Sequence, residues 1–218
     1  MSSFYQVSVI KAHATGWPET GLRRALSFLR SHRWIVLGAI AVLVLTAAVE
    51  TSMGRSPLGP DGRFGWWDGD IWSSGNSQRV MDVYSFSHIV HGILFFAGLW
   101  LVAPRLPLRR RLLIALLLAA GWEILENSRP VIERYRAGTI AQGYIGDSIL
   151  NSCSDILMMA LGFLCASRMR LRTSVAAIVV LELFCLFWVR ENLTLSVLRV
   201  LHPIPVVQAW QSARHVVP

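Results

Sequence analysis

Charge is scarce in this sequence: only 16% of its 218 residues are Asp, Glu, Lys or Arg, against 54% hydrophobic residues. Soluble domains carry about a quarter charged residues, so a water-soluble globule is a poor reading of this chain. Cysteine is also sparse. Cys153, Cys165 and Cys185 all fall in apolar stretches, which excludes a disulfide framework and leaves three thiols expected to be buried. There is no internal repeat and no low-complexity tract. Proline is missing from every apolar block, so the broken helix pairs and inverted repeats that mark many alternating-access carriers are absent from the pattern.

What the sequence does have is apolar blocks of membrane-crossing length, which takes about 20 helical residues. They run from Trp34 to about Val49, Tyr84 to Ala103, Leu112 to Asn127, Ser148 to Ala166 and Thr173 to Asn192. A lipid-exposed strand edge would leave backbone groups unpaired, so the blocks are read as helices. The expected fold is an all-α, polytopic transmembrane bundle of about five spans. Basic residues set its direction. Lys11, Arg23, Arg24, Arg30 and Arg33 precede the first block; Arg105 and Arg109 to Arg111 follow the second; Arg168, Arg170 and Arg172 follow the fourth. These three regions share one side, and the positive-inside rule makes it the cytoplasm, N-terminus included. The formal net charge of +8 is therefore a topology signal, and a nucleic-acid partner is not expected.

This divides the chain into a cytoplasmic N-terminal tail (1–33), a transmembrane domain (34–194) and an outer interfacial C-terminal segment (195–218). The first fifteen residues read equally as a disordered basic tail. Residues 20–32 place Leu22, Leu26 and Leu29 on one face, as an interfacial amphipathic helix would. With so long a leader and only a weak cleavage site at Thr46-Ala47-Ala48, the first block is expected to stay as an anchor. The long outer loop, 50–83, carries Trp66, Trp67 and Trp72, suited to the membrane–water interface. The tail with Pro203, Pro205 and Trp210 is too short and too polar for a sixth span.

Ionisable residues within apolar helices are costly and point to function. Tyr84, His88 and His91 share a face of the second span at 100° per residue. Glu123, Glu126 and Asn127 share a face late in the third, and Asp147, Asn151 and Asp155 climb one stripe early in the fourth. Glu182 lies inside the fifth. With the alternating direction of the spans, His91, Glu123 and Asp155 all fall roughly 8–14 Å below the outer boundary at 1.5 Å per residue. Four helices thus place polar groups in one layer.

Imidazoles and carboxylates facing one another in a bundle are a means of holding a divalent metal, with zinc, iron or manganese better suited than calcium. On this reading His88, His91, Glu123 and Asn151 are the metal ligands, Glu126 is the general base, and Asp155 completes the catalytic set. Arg129, Arg134 and Arg136 would hold an anionic head group. The expected activity is hydrolysis or group transfer on a membrane lipid or lipid-linked substrate. The alternatives left open are a proton relay in a carrier and a non-catalytic scaffold. In the plainer readings the histidines are structural, the glutamates pair with Arg129, Arg134 or Arg190, and Asp147 is the N-cap of the fourth span. No base–nucleophile spacing singles out Ser85 or Ser87.

The runs Tyr84-Ser-Phe-Ser-His88-Ile-Val-His91-Gly92, Trp122-Glu123-x-x-Glu126-Asn127-Ser128, Arg134-Tyr135-Arg136 and Gly146-Asp147-Ser148 resemble a small bacterial family known mainly as a domain of unknown function. The resemblance covers about residues 50 to 210 and implies a multi-pass protein of the bacterial inner membrane, without an established reaction. Less closely, and mainly over the third and fourth spans, the chain resembles VanZ-like membrane proteins, which implies only work at the cell envelope.

Overall fold

The computed structural model describes residues 17–138, 143–202 and 204–212. The order of elements is α1 (Trp17–Ser52), β1 (Trp67–Asp68), β2 (Met81–Asp82), α2 (Ser85–Val102), α3 (Leu108–Glu126), α4 (Arg129–Gly138), α5 (Ile149–Ala166), α6 (Leu171–Val189), α7 (Leu193–Leu201) and α8 (Pro205–Ser212). The protein is an all-α membrane-type bundle; β1 and β2 are a two-residue parallel pairing inside the long loop. The chain forms two compact units, up to Leu37 and from Gly38 onward. In the first, the backbone over 20–32 is helical, and the Arg33 guanidinium lies 5.2 Å from the centre of the Trp34 ring. The tail expected over the first fifteen residues falls outside the described residues.

Among the described residues, four helices are long and apolar enough to cross a membrane: Arg33–Ser52 of α1, α2, α5 and α6. The helix α3 has the same length as α6 but begins with Arg109, Arg110 and Arg111 and carries Glu123 and Glu126 near its end. Its apolar middle is nevertheless central to the core. Ala115, Leu116, Ala119 and Ala120 pack with Val42 of α1 and with Ile156, Met159 and Phe163 of α5. Outward-facing Leu117, Leu118 and Leu125 are about half exposed, as expected of a surface turned to lipid. The short α4, α7 and α8 cannot span.

The closest crossing is between α2 and α5. A Cβ placed on Gly92 would lie 2.0 Å from the Met159 carbonyl oxygen, and one on Gly162 would lie 2.1 Å from that of Ile89. Backbone touches backbone there, and the small-residue contact substitutes for the hydrophobic drive that lipid removes. One side of α5 faces away from this contact: Leu157, Leu161 and Cys165 are exposed at successive turns. Cys165 is thus not the buried thiol expected from the sequence, although Cys185 is; all three cysteines are free.

The long loop is stitched to the start of α5. Ser148 N–H donates to the Ser77 carbonyl (2.9 Å), Ile149 N–H to that of Ser56 (3.0 Å), and Gln78 Nε2 to that of Gly146 (2.8 Å). Asp82, fully buried, accepts from the backbone N–H groups of Ser77 (3.0 Å), Tyr84 (2.7 Å) and Ser85 (3.2 Å), and so closes the N-terminus of α2. Asn127, just past α3, clasps Asp147: its Oδ1 accepts from Asp147 N–H (2.7 Å) and its Nδ2 donates to Asp147 Oδ2 (3.0 Å). The cap of α5 is Ser148, whose Oγ accepts from Asn151 N–H at 3.2 Å. Asp147 is therefore not the N-cap the sequence suggested; it stands one residue too early to reach that N–H, and Asn127 and Tyr144 take its carboxylate instead.

Two predictions follow from these contacts. Gly162→Ala or Gly92→Ala forces the α2–α5 crossing apart and lowers stability by about 1–3 kcal/mol. The control Gly98→Ala, where an added Cβ meets nothing within 4 Å, leaves the melting temperature in detergent unchanged. Burial, aided for Asp82 by the charge of Asp147, pushes both aspartates up from 3.8 to about 6. Below about pH 4 both the folded and unfolded chains hold these protons; between about 4 and 6 only the folded chain does, so raising the pH draws the equilibrium toward the unfolded state. The melting temperature in detergent should fall across that window, and Asp147→Asn should flatten the slope.

Candidate functional site

The stitched loop, the α2–α5 crossing and the end of α3 converge on one polar chamber of about 80 Å³. His88 comes from the first turn of α2, one turn before the crossing glycine Gly92. Its Nδ1 lies 3.4 Å from Glu123 Oε1 of α3 and its Nε2 lies 3.8 Å from Asp155 Oδ2 of α5. Asp155 is held on its other oxygen by Ser85 Oγ, which donates to it at 2.9 Å and accepts from Asp82 N–H at 3.2 Å. His91 forms an aromatic wall. Its ring stacks on Phe95 (5.9 Å between centroids, 10° between planes) and meets Trp122 edge-on at 6.2 Å and His88 at 5.3 Å.

The opposite wall is acidic and phenolic. Glu126 is hydrogen-bonded to Trp122 and to Tyr135 of α4. Tyr135 packs edge-on against Tyr144 at 5.6 Å, and the Tyr144 hydroxyl donates to Asp147 Oδ1 at 3.0 Å. Burial first, then the neighbouring carboxylates, hold the Tyr144 phenol well above its ordinary pKa. Among the described residues, Glu123, Glu126 and Asp147 form the one group of three that brings a ligand atom from each within 4.8 Å of the others. Glu123 is 1% exposed, and neither of its oxygens accepts a hydrogen bond.

Of the residues singled out in the sequence, His88, His91, Glu126, Asn151 and Asp155 all line the chamber. Glu123 stands behind His88. Asn151 donates through Nδ2 to the Arg79 carbonyl at 3.0 Å, which binds the loop to the chamber wall. Arg129, Arg134 and Arg136 lie on the exposed side of α4 and do not line it. Arg129 pairs with Glu133 at 3.0 Å. Glu182 is not part of the chamber either. It caps α7, accepting from Leu193 N–H and Thr194 N–H, each at 3.1 Å, and from Thr194 Oγ1 at 2.6 Å.

The sequence did not point to Tyr135, Tyr144 or Ser196 as wall residues, nor to the buried Glu50 beside the cluster. A signal was there for Asp82, whose position three residues before Ser85 is that of a helix-entry Asx turn. None was there for the tyrosines, which lie in a short helix and a loop without apolar periodicity.

With this geometry established, comparison with known proteins places it. Residues 50–213 match a family described as a protein of unknown function, DUF2585. A UPF0314 protein of Paracoccus denitrificans is 47% identical over 172 residues, covering 79% of this chain and 89% of the relative. One from Sphingopyxis alaskensis is 46% identical, covering 82% and 94%, and one from Agrobacterium fabrum 42%, covering 84% and 92%. No solved structure matches the chain. The matched segment runs from the buried Glu50 through every chamber residue to α8, and on that evidence the chain belongs to the DUF2585 family.

Proposed function

We propose that this protein is a multi-pass protein of the bacterial inner membrane that holds a divalent cation in its chamber and catalyses hydrolysis or group transfer on a lipid or lipid-linked substrate. In this reading α3 is the fifth span, the N-terminus is cytoplasmic, and the chamber lies in the outer half of the bilayer. The observation that carries it is the Glu123, Glu126 and Asp147 group, with ligand oxygens within 4.8 Å of one another and the Glu123 carboxylate buried without a hydrogen-bond donor. Carboxylates withdrawn from water need a counter-charge or a proton. Among the described residues, no Lys or Arg lines the chamber.

An all-oxygen trio suits Mn²⁺ or Mg²⁺ better than the zinc expected from the histidines. His88, within 3.4 Å of Glu123, is placed to orient that ligand. A bound cation would supply Lewis-acid activation of an attacking water or a substrate oxygen. Asp155, fixed by Ser85 and next to His88, is the group placed to accept the proton from the attacking water. The aromatic wall of His91 and Trp122 limits the access of bulk water.

A second reading, a proton relay in a carrier, has one observation in its favour. Glu123, His88, Asp155 and the Ser85 hydroxyl form an unbroken series of side-chain contacts of 3.8 Å or less.

Equilibrium dialysis of the purified protein against Mn²⁺, read by elemental analysis, separates the two. The metal reading expects about one Mn²⁺ per chain, with affinity reduced about 10–100-fold in His88→Ala, the loss typical of an outer-shell partner, and by more in the ligand variant Glu126→Gln. No saturable Mn²⁺ binding, together with proton flux into proteoliposomes that His88→Ala abolishes, would overturn it in favour of the relay.

A further inference from the structure

Outside the chamber, on the other side of the Asn127–Asp147 clasp, lies a larger hollow of about 550 Å³. Three guanidinium groups line it, those of Arg55, Arg129 and Arg136, against one carboxylate, Glu133. Arg129 and Arg136 are seven residues apart on α4 and so share a face two turns long. Two of the three arginines are fixed by backbone. Arg136 Nε donates to the Tyr144 carbonyl at 2.6 Å, and Arg55 Nη1 donates to the adjacent carbonyl of Ile145. Gly146, at φ +90°, makes room for this: a Cβ there would collide with Arg55 Nη1 and Asn127 Oδ1. Arg55 Nε is buried and has no acceptor, and a buried donor left unmade is expensive.

The same hollow has an apolar half, made by Met53, Ile132 and Ile145. A cationic cluster with one unmet donor, next to aliphatic side chains, fits a ligand that is anionic at one end and apolar at the other. Guanidinium forks suit phosphate oxygens in particular, and the volume falls within the range of small-molecule sites.

We infer that the Arg55–Arg129–Arg136 hollow binds the phosphate group of an anionic phospholipid, its acyl end lying against Met53, Ile132 and Ile145. Asn127 lines the hollow and holds Asp147 in the chamber wall, so a phosphate seated there lies one residue away from the carboxylate trio. The inference deepens the proposed reading by naming the substrate class, and it rests on that reading only for the chemistry that follows binding. It keeps the head-group role that the sequence suggested for Arg129 and Arg136 and puts Arg55 where that reading had Arg134, which does not line the hollow.

The test is a titration of the protein, purified in a neutral maltoside detergent, with dihexanoyl phosphatidylglycerol, dihexanoyl glycerol and inorganic phosphate, read by calorimetry. The phosphatidylglycerol should bind saturably, and Arg129→Gln and Arg55→Gln should each weaken it about tenfold, the loss of one charge-assisted contact. Should Arg55→Gln fail to fold, the exposed Arg129→Gln still decides the matter. Equal binding of dihexanoyl glycerol, or unchanged affinity in Arg129→Gln, would overturn the inference. Inorganic phosphate binding as tightly as the lipid would overturn the lipid assignment in favour of a free-anion site. Glu126→Gln keeps the two proposals apart: it should lose Mn²⁺ and still bind the lipid. Lipid binding without Mn²⁺ binding in the wild type leaves the hollow standing and removes the metal reading.

Discussion

Two glycines set the distance across which the chamber's imidazole and carboxylate meet. Gly92 and Gly162 bring the backbones of α2 and α5 into direct contact. His88 stands one helical turn from the first and Asp155 two turns from the second, each on the contacting side. Closing the crossing therefore carries the imidazole up to the carboxylate, and Ser85 and Asp82 follow through their hydrogen bonds. A bulkier residue at either glycine would widen the gap that His88 bridges between α3 and α5. Packing in this bundle and the geometry of the chamber are one constraint, expressed in lipid by close van der Waals approach.

The chamber built on that crossing is unusual in its charge balance. Glu50, Asp82, Glu123, Asp147, Asp155 and Glu191 are all buried, while the nearby arginines anchor themselves to backbone carbonyls outside it. Acids gather on one side of the Asn127–Asp147 clasp and guanidinium groups on the other. The two proposed ligands, a cation within and a phosphate without, would answer that separation. A chamber and a hollow that share one wall offer such ligands adjacent places.

Part of this was legible in the sequence. Block lengths and the shortage of charge pointed to the all-α membrane bundle, and helical spacing with alternating direction led to the expectation that His91, Glu123 and Asp155 share one layer. Depth, though, carries no information on contact. That Glu182 turns away to cap α7 depends on a left-handed residue, Arg190 at φ +56°, which ends α6 and sends the chain back. Non-glycine residues adopt that conformation only when their surroundings compel it, so periodicity alone could not reveal it. The roles of Tyr144, Asp147 and Arg55 depend on loop-to-helix bonds such as Gln78 to Gly146, between residues far apart in the chain, and no local pattern encodes those.

The distribution of the acids has a consequence for how the chain enters the membrane. A carboxylate at mid-bilayer raises the cost of inserting a helix by about 2.5–3.5 kcal/mol, which a run of leucine and isoleucine can offset once and seldom several times. Here α5 and α6 each bring a single carboxylate, Asp155 and Glu182, α2 brings imidazoles alone, and α3 keeps its two glutamates close to its end. In the proposed reading, with α3 as the fifth span, each helix thus stays apolar enough to be threaded on its own. The concentrated acidity exists only after the helices have found one another, so the chain never has to carry it across the bilayer in one piece.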